Sequence, residues 1–115
     1  MLKALEKFSP IIRDYKITVF EQAGSSSRLR AQVTLVDGST LHVRETVIAG
    51  AVRKYAYHWQ TDDGHLLVRW DNAPDWEVET FPHHKHVGDR QNVVASYERI
   101  LEQVLSFIAD EIGPG

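Results

Sequence analysis

Five stretches of the sequence alternate apolar and polar side chains with a period of two, and that pattern leaves few folds open. Tyr15, Ile17 and Val19 alternate with Lys16 and Thr18, and Leu29, Ala31, Val33 and Leu35 with Arg30, Gln32 and Thr34. Leu41, Val43 and Val47 alternate with His42, Arg44 and Thr46. Tyr55, Tyr57 and Trp59 alternate with Lys54 and His58, and Leu66, Val68 and Trp70 with Arg69 and Asp71. Successive side chains of a strand point to opposite faces, so each stretch reads as a half-buried strand. Ala23-Gly24, Asp37-Gly38 and Asp63-Gly64 punctuate them as turns, which makes hairpins the natural connections.

Register can be worked out from the faces, because a one-residue slip flips every side chain. A two-residue loop at Asp37-Gly38 would turn Leu41 and Val43 away from the face of Leu35. An odd loop of three residues with a glycine bulge is therefore expected there. For the last hairpin, an even loop over 61–64 pairs Trp59 with Leu66, Tyr57 with Val68, Tyr55 with Trp70 and Lys54 with Asp71.

Helical spacing flanks the strands. Leu2, Leu5 and Phe8 suit a short helix, and Ser9-Pro10 breaks it or restarts it with Pro10 at the first helical position. Ile100, Leu101, Val104, Leu105, Ile108 and Ile112 mark one apolar face, with Ser96 as the expected N-cap and Gly113-Pro114 as the stop. Residues 73–95 lack periodicity but hold Trp76, Val78, Phe81 and Val87, so an ordered loop with one short strand around 92–95 is expected. The fold class is α+β: one domain over residues 1–115, a five-stranded antiparallel meander, and N- and C-terminal helices packed on the face of Val33, Tyr57 and Val68. The opposite face is polar and carries Arg30, Arg44, Lys54, His58, Arg69 and Asp71. The first or fifth strand is left as an edge open to a homodimer or to a partner protein.

Composition narrows the function classes. A net charge of −3 excludes a global basic field, though a local patch remains open. With no cysteine, disulfides and thiolate metal sites are excluded. No apolar run reaches the ~20 residues of a membrane span. The N-terminal residues lack the apolar core of a signal peptide, so a cytoplasmic protein is expected.

The block TFPHHKH, residues 80–86, holds three of the six histidines. Histidine titrates near neutral pH, and two histidines with Lys85 or Arg69 meet the needs of metal-free RNA cleavage: a base, an acid and a cation for the phosphorane. A metal reading would use His83 and His86 with Asp71 or Glu79, although three histidines this close converge only if the backbone curls. A solvated loop is the bland alternative. In RWDNAP, residues 69–74, Asp71 and Asn72 can bond their own backbone in a turn, or Asp71 can orient a loop histidine while Arg69 meets an anion. Tyr55, Tyr57 and Trp59 read as core, and His58 as the polar-face residue. Glu45 lies on the apolar parity, either at the rim or as a partly buried carboxylate.

Taken together, KYAYHWQ, LLVRWDNAP, TFPHHKHVG and ERILEQVLSFI resemble the TumE family, over residues 14 to 109 and most sharply in Asp-Asn-Ala-Pro and Phe-Pro-His-His-Lys-His. Asp75-Trp76-Glu77 departs from the pattern, which often has histidines there. The resemblance points to Tyr57, His58, Arg69, Asp71, Asn72, Pro82, His83, His84, Lys85 and His86. It implies a toxin with a cognate antitoxin from an adjacent gene and, by analogy with other small toxins, an RNA target. On that reading His83, His84, His86, Asp71 and His58 carry the chemistry, and Arg69, Lys85, Asn72 and Tyr57 hold the substrate, with no metal or other cofactor. The alternative is a non-enzymatic module that binds an anionic ligand or a partner protein.

Overall fold

The computed structural model describes residues 1–113. Helix α1 (Leu2–Lys7) and a 3-10 turn (Ser9–Ile11) lead into strands β1 (Ile12–Ala23), β2 (Ser26–Leu35), β3 (Thr40–Ile48), β4 (Val52–Gln60) and β5 (Leu66–Asp71). Strands β6 (His84–Val87) and β7 (Val93–Ala95) follow, then helix α2 (Leu101–Ile112). All strands pair antiparallel with their sequence neighbours in one sheet, in the order β1-β2-β3-β4-β5-β6-β7. The α+β class and the two flanking helices are as expected, but the sheet has seven strands rather than five. Residues 73–95 supply β7, the short strand expected around 92–95, and β6, which was not expected, so β5 is an interior strand and β1 and β7 are the edges.

The β2–β3 loop has the expected form. Leu35 N–H donates to the Ser39 carbonyl (2.9 Å) and Gly38 N–H to the Leu35 carbonyl (3.0 Å). Gly38 sits at φ +91°, the left-handed position that closes a three-residue hairpin. The same loop recurs between β4 and β5, with Thr61 N–H on the His65 carbonyl (2.9 Å) and Gly64 at φ +92°. That overturns the four-residue loop expected over 61–64. A bulge at Leu67 then restores parity, so Tyr57 faces Trp70 and Trp59 faces Val68, two residues from the expected register but on the expected face. A second bulge at Thr18 sends Val19 opposite Arg30, onto the polar side. Tyr15 and Ile17 on this edge strand stay largely exposed.

The core forms where α1 and α2 cover one side of the sheet. Leu5, Leu101, Val104, Leu105 and Ile108 pack on Val33, Leu35, Leu41, Val43, Tyr57, Trp59, Val68 and Trp70. Ser96 is not the N-cap of α2: the helix begins at Leu101, after extended Ile100. Glu98, in the non-helical approach, accepts from Trp70 Nε1 (3.0 Å) and Lys85 Nζ (2.8 Å) instead, and those two bonds hold the segment down. Gly113, at φ +79°, stops α2 as expected, while Pro114 lies outside the described residues.

Candidate functional site

The site is built by two cross-strand rows on the uncovered side of the sheet. One row reads Arg30, Arg44, Ala56, Asp71, His84, Ala95 across β2 to β7. The adjacent row reads Gln32, His42, His58, Arg69, His86, Val93. Residues i and i+2 of a strand share a face, so Arg69 and Asp71 of β5 meet His86 and His84 of β6 directly. Ala56, a small residue of the first row, leaves a depression between Arg44 and Asp71. A cleft of about 950 Å³ opens there, walled by Trp76, Arg30, Arg69 and Arg90.

Asp71 lies at its centre, 7% exposed. Oδ1 accepts the Ala73 N–H (3.0 Å), which is the turn-forming bond expected of an Asp before Asn-Ala-Pro, and Arg69 Nε donates to Oδ2 (3.3 Å). Fully buried His84 brings Nε2 to 2.9 Å from Oδ1, and His86 brings Nε2 to 3.6 Å from Oδ2. A carbonyl oxygen only accepts, so the other ring nitrogens carry protons: His84 Nδ1–H donates to Pro82 O (2.9 Å) and His86 Nδ1–H to Arg90 O (2.7 Å). Trp76 sits edge-on to His86, with ring centres 5.6 Å apart.

Next to this trio, Arg69 Nη1 lies 3.4 Å from His58 Nδ1, and His42 lies beside His58 at 6.3 Å between ring centres. Burial first, then the charge of Arg69 and then His42, hold the His58 pKa below the ordinary histidine value.

Asn72 acts on structure at this point. Its side chain extends the β4–β5 ladder past Asp71, accepting from Tyr55 N (3.0 Å) and donating to Arg53 O (2.8 Å).

Three of the expected residues lie on the other side. Lys85, opposite Trp70, points to the helices, with Nζ on Glu98 and 4.9 Å from the Phe107 ring centre. His83 stacks on Tyr55, with Nδ1 2.8 Å from the Tyr55 hydroxyl. Burial, followed by Arg99 and Arg53, lowers the His83 pKa. Burial raises the Tyr55 phenol to about 12 against the opposing charge of Arg53. Tyr57 is fully buried and donates to Glu45 Oε1 (2.8 Å), so Glu45 is a partly buried carboxylate engaged with a core phenol. Burial, then Glu45, keeps the Tyr57 phenol protonated far above its ordinary range. Within the block 80–86, the pair converging on Asp71 is His84 and His86, not His83 and His86. Glu79 instead takes the Tyr97 hydroxyl (3.2 Å).

Sequence reasoning missed Trp76 and Arg90 as cleft walls and Ala56 as its floor. The i, i+2 spacing of His84 and His86 matches that of Arg69 and Asp71, and this was the signal available. Among known families, the family model described as Toxin TumE matches residues 1–112. Searches of curated proteins and of solved structures returned no match. With 112 of its 115 residues under that one family model, the chain belongs to the TumE toxin family.

Proposed function

We propose that this chain is the toxin of a toxin–antitoxin module and that it stops growth by cleaving RNA in the Asp71 cleft. Family membership implies the antitoxin partner. No helix among the described residues is long and apolar enough to cross a membrane. The observation that carries the RNA reading is the pairing of one buried Asp-His-His centre with arginines on the same face of the sheet. Arg30, Arg44 and Arg69 stand in the same two rows as Asp71, His84 and His86. Guanidinium groups suit phosphate, and clustering them locally overcomes the net acidity of the chain.

Cleavage by the ribose 2′-oxygen needs a proton acceptor, a cation for the charge on phosphorus and a proton donor for the 5′-oxygen. In this reading Arg69 and Arg44 bind the phosphate, His58, kept neutral at physiological pH, takes the 2′-hydroxyl proton, and the Asp71–His86 pair delivers a proton to the leaving 5′-oxygen. Lys85 and Tyr57 drop out of substrate binding because both serve the helix side.

The test is to express the chain without its antitoxin and compare growth and total RNA with an Asp71→Asn strain. Growth arrest with discrete RNA fragments from the parent, and neither from the variant, is expected. Arrest without RNA cleavage would favour the non-enzymatic binding module, and normal growth in both strains would remove the toxin reading.

A further inference from the structure

The trio of Asp71, His84 and His86 shows a geometry that proton transfer alone leaves unexplained. Both imidazoles spend Nδ1–H on backbone carbonyls, so in their neutral forms both Nε2 lone pairs face one carboxylate. A lone pair 2.9 Å from a carboxylate oxygen is repulsive unless a cation lies between them. A proton on His84 Nε2 does not serve well: the separation is that of a hydrogen bond, yet the ring nitrogen points past the oxygen. Among the described residues this is the one buried side-chain polar atom without an aligned partner. Pointing past the oxygen is what a shared ion requires, because ligands stand around an ion and not in line with one another. Ligand atoms about 2.0–2.2 Å from a common ion lie about 3.0–3.5 Å apart. His84 Nε2 stands 2.9 Å from Oδ1 and His86 Nε2 3.6 Å from Oδ2, close to that range, and one ligand atom from each of the three residues lies within 4.8 Å of the others.

We propose that His84 Nε2, His86 Nε2 and the Asp71 carboxylate bind a divalent transition-metal ion of the zinc class, with the remaining coordination position open to the cleft. The supporting contacts are those a metal-binding histidine needs. Each Nδ1–H is anchored to a backbone carbonyl, which fixes the tautomer and the ring plane, and Ala73 N–H and Arg69 hold the carboxylate. Two nitrogens and one oxygen suit Zn²⁺, Co²⁺ or Mn²⁺ rather than Mg²⁺, which prefers oxygen ligands and keeps its waters. One carboxylate leaves the bound site net positive, and with Arg69 beside it the open position favours an anionic oxygen or a polarised water. Metal binding stands on the geometry alone. Its use on a phosphodiester rests on the RNA reading above.

The purified chain, stripped with EDTA, is titrated with Co²⁺ and followed by visible absorption, and its Tm is measured with Zn²⁺ or Mg²⁺. One equivalent of Co²⁺ should develop d–d bands. Zn²⁺ at about a hundredfold excess over Kd should raise Tm by about 10 °C, and Mg²⁺ should not. His86→Gln and Asp71→Asn, checked for fold by circular dichroism, should lose both signals, while His83→Gln keeps them. Absence of both signals in the parent, or their full retention in the folded His86→Gln and Asp71→Asn variants, overturns the site. RNA assays on the same samples separate the two readings. Metal bound without cleavage leaves the site and removes the ribonuclease, whereas cleavage by a parent chain that gives neither metal signal keeps the ribonuclease and removes the site.

Discussion

The two sides of β6 both carry basic side chains and do opposite things. Towards the helices, Lys85 meets Glu98 in a pair of low exposure near Trp70 and Phe107, and among the described residues no buried side-chain polar atom on that side lacks a partner. Towards the open side, His84 and His86 converge on a carboxylate with which His84 makes no aligned hydrogen bond. Matched polar groups under a helix contribute stability and specificity of packing. Unmatched ones aimed into a cleft cost stability and are a mark of function. The contrast shows that a run of histidine and lysine in a sequence is not one feature. In a strand it is two, separated by the sheet.

The largest expected effects set these sides against each other. Trp70→Ala removes a fully buried indole and should cost about 3–5 kcal/mol in a denaturant titration. Asp71→Asn keeps the Ala73 N–H bond through its amide oxygen and should change stability little. It should lower RNA cleavage by on the order of a hundredfold or more. If the Asn variant instead unfolds, the distinction between the sides fails.

Next in size is Lys85→Met. It leaves Glu98 with the Trp70 bond alone and should cost about 1–3 kcal/mol, with cleavage retained. Glu98→Gln in the same chain should recover part of that loss, which a double-mutant cycle would measure.

Arg44→Ala tests the cation row. RNA affinity should fall at all sequences, and the salt dependence of binding should flatten by about 0.7 in log–log slope if one phosphate contact is lost. An unchanged slope would place RNA elsewhere.

The smallest effect concerns pH. His58 has a folded-state pKa below the 6.5 of the free side chain, so the unfolded chain takes up its proton first. His58 therefore costs nothing at pH 8 and lowers stability as pH drops through and below 6.5. His58→Gln should flatten that acid-side loss by on the order of a few tenths of a kcal/mol, since the ring is only partly buried and well screened.

Much of the fold was legible in the sequence because most strands alternate cleanly. Val33, Leu41, Tyr57 and Val68 announce their face, and Asp37-Gly38 announces its loop. β6 was not legible, because its alternation is imidazole against lysine and valine, with no apolar stripe to read. Its partner gives the reason: β5 offers a polar side, so β6 has nothing apolar to match there. The slip in the β4–β5 pairing had a different source. Leu66 and Leu67 are adjacent apolar residues, and nothing in their chemistry says which of them bulges. The Ser96 cap failed because Glu98 is needed by Trp70 and Lys85 in extended chain. Within the site, Asp71 and Arg69 were identifiable from RWDNAP, but sorting His83 and Lys85 from His84 and His86 required knowing that the block is a strand.

The most direct test of the functional difference between the two sides is growth after induction without antitoxin, with His86→Gln and Lys85→Met compared at matched abundance and confirmed fold. Loss of growth arrest in His86→Gln with arrest retained in Lys85→Met is the predicted result. Arrest that survives His86→Gln, or that disappears in a folded Lys85→Met chain, would contradict the assignment of function to the open side of β6.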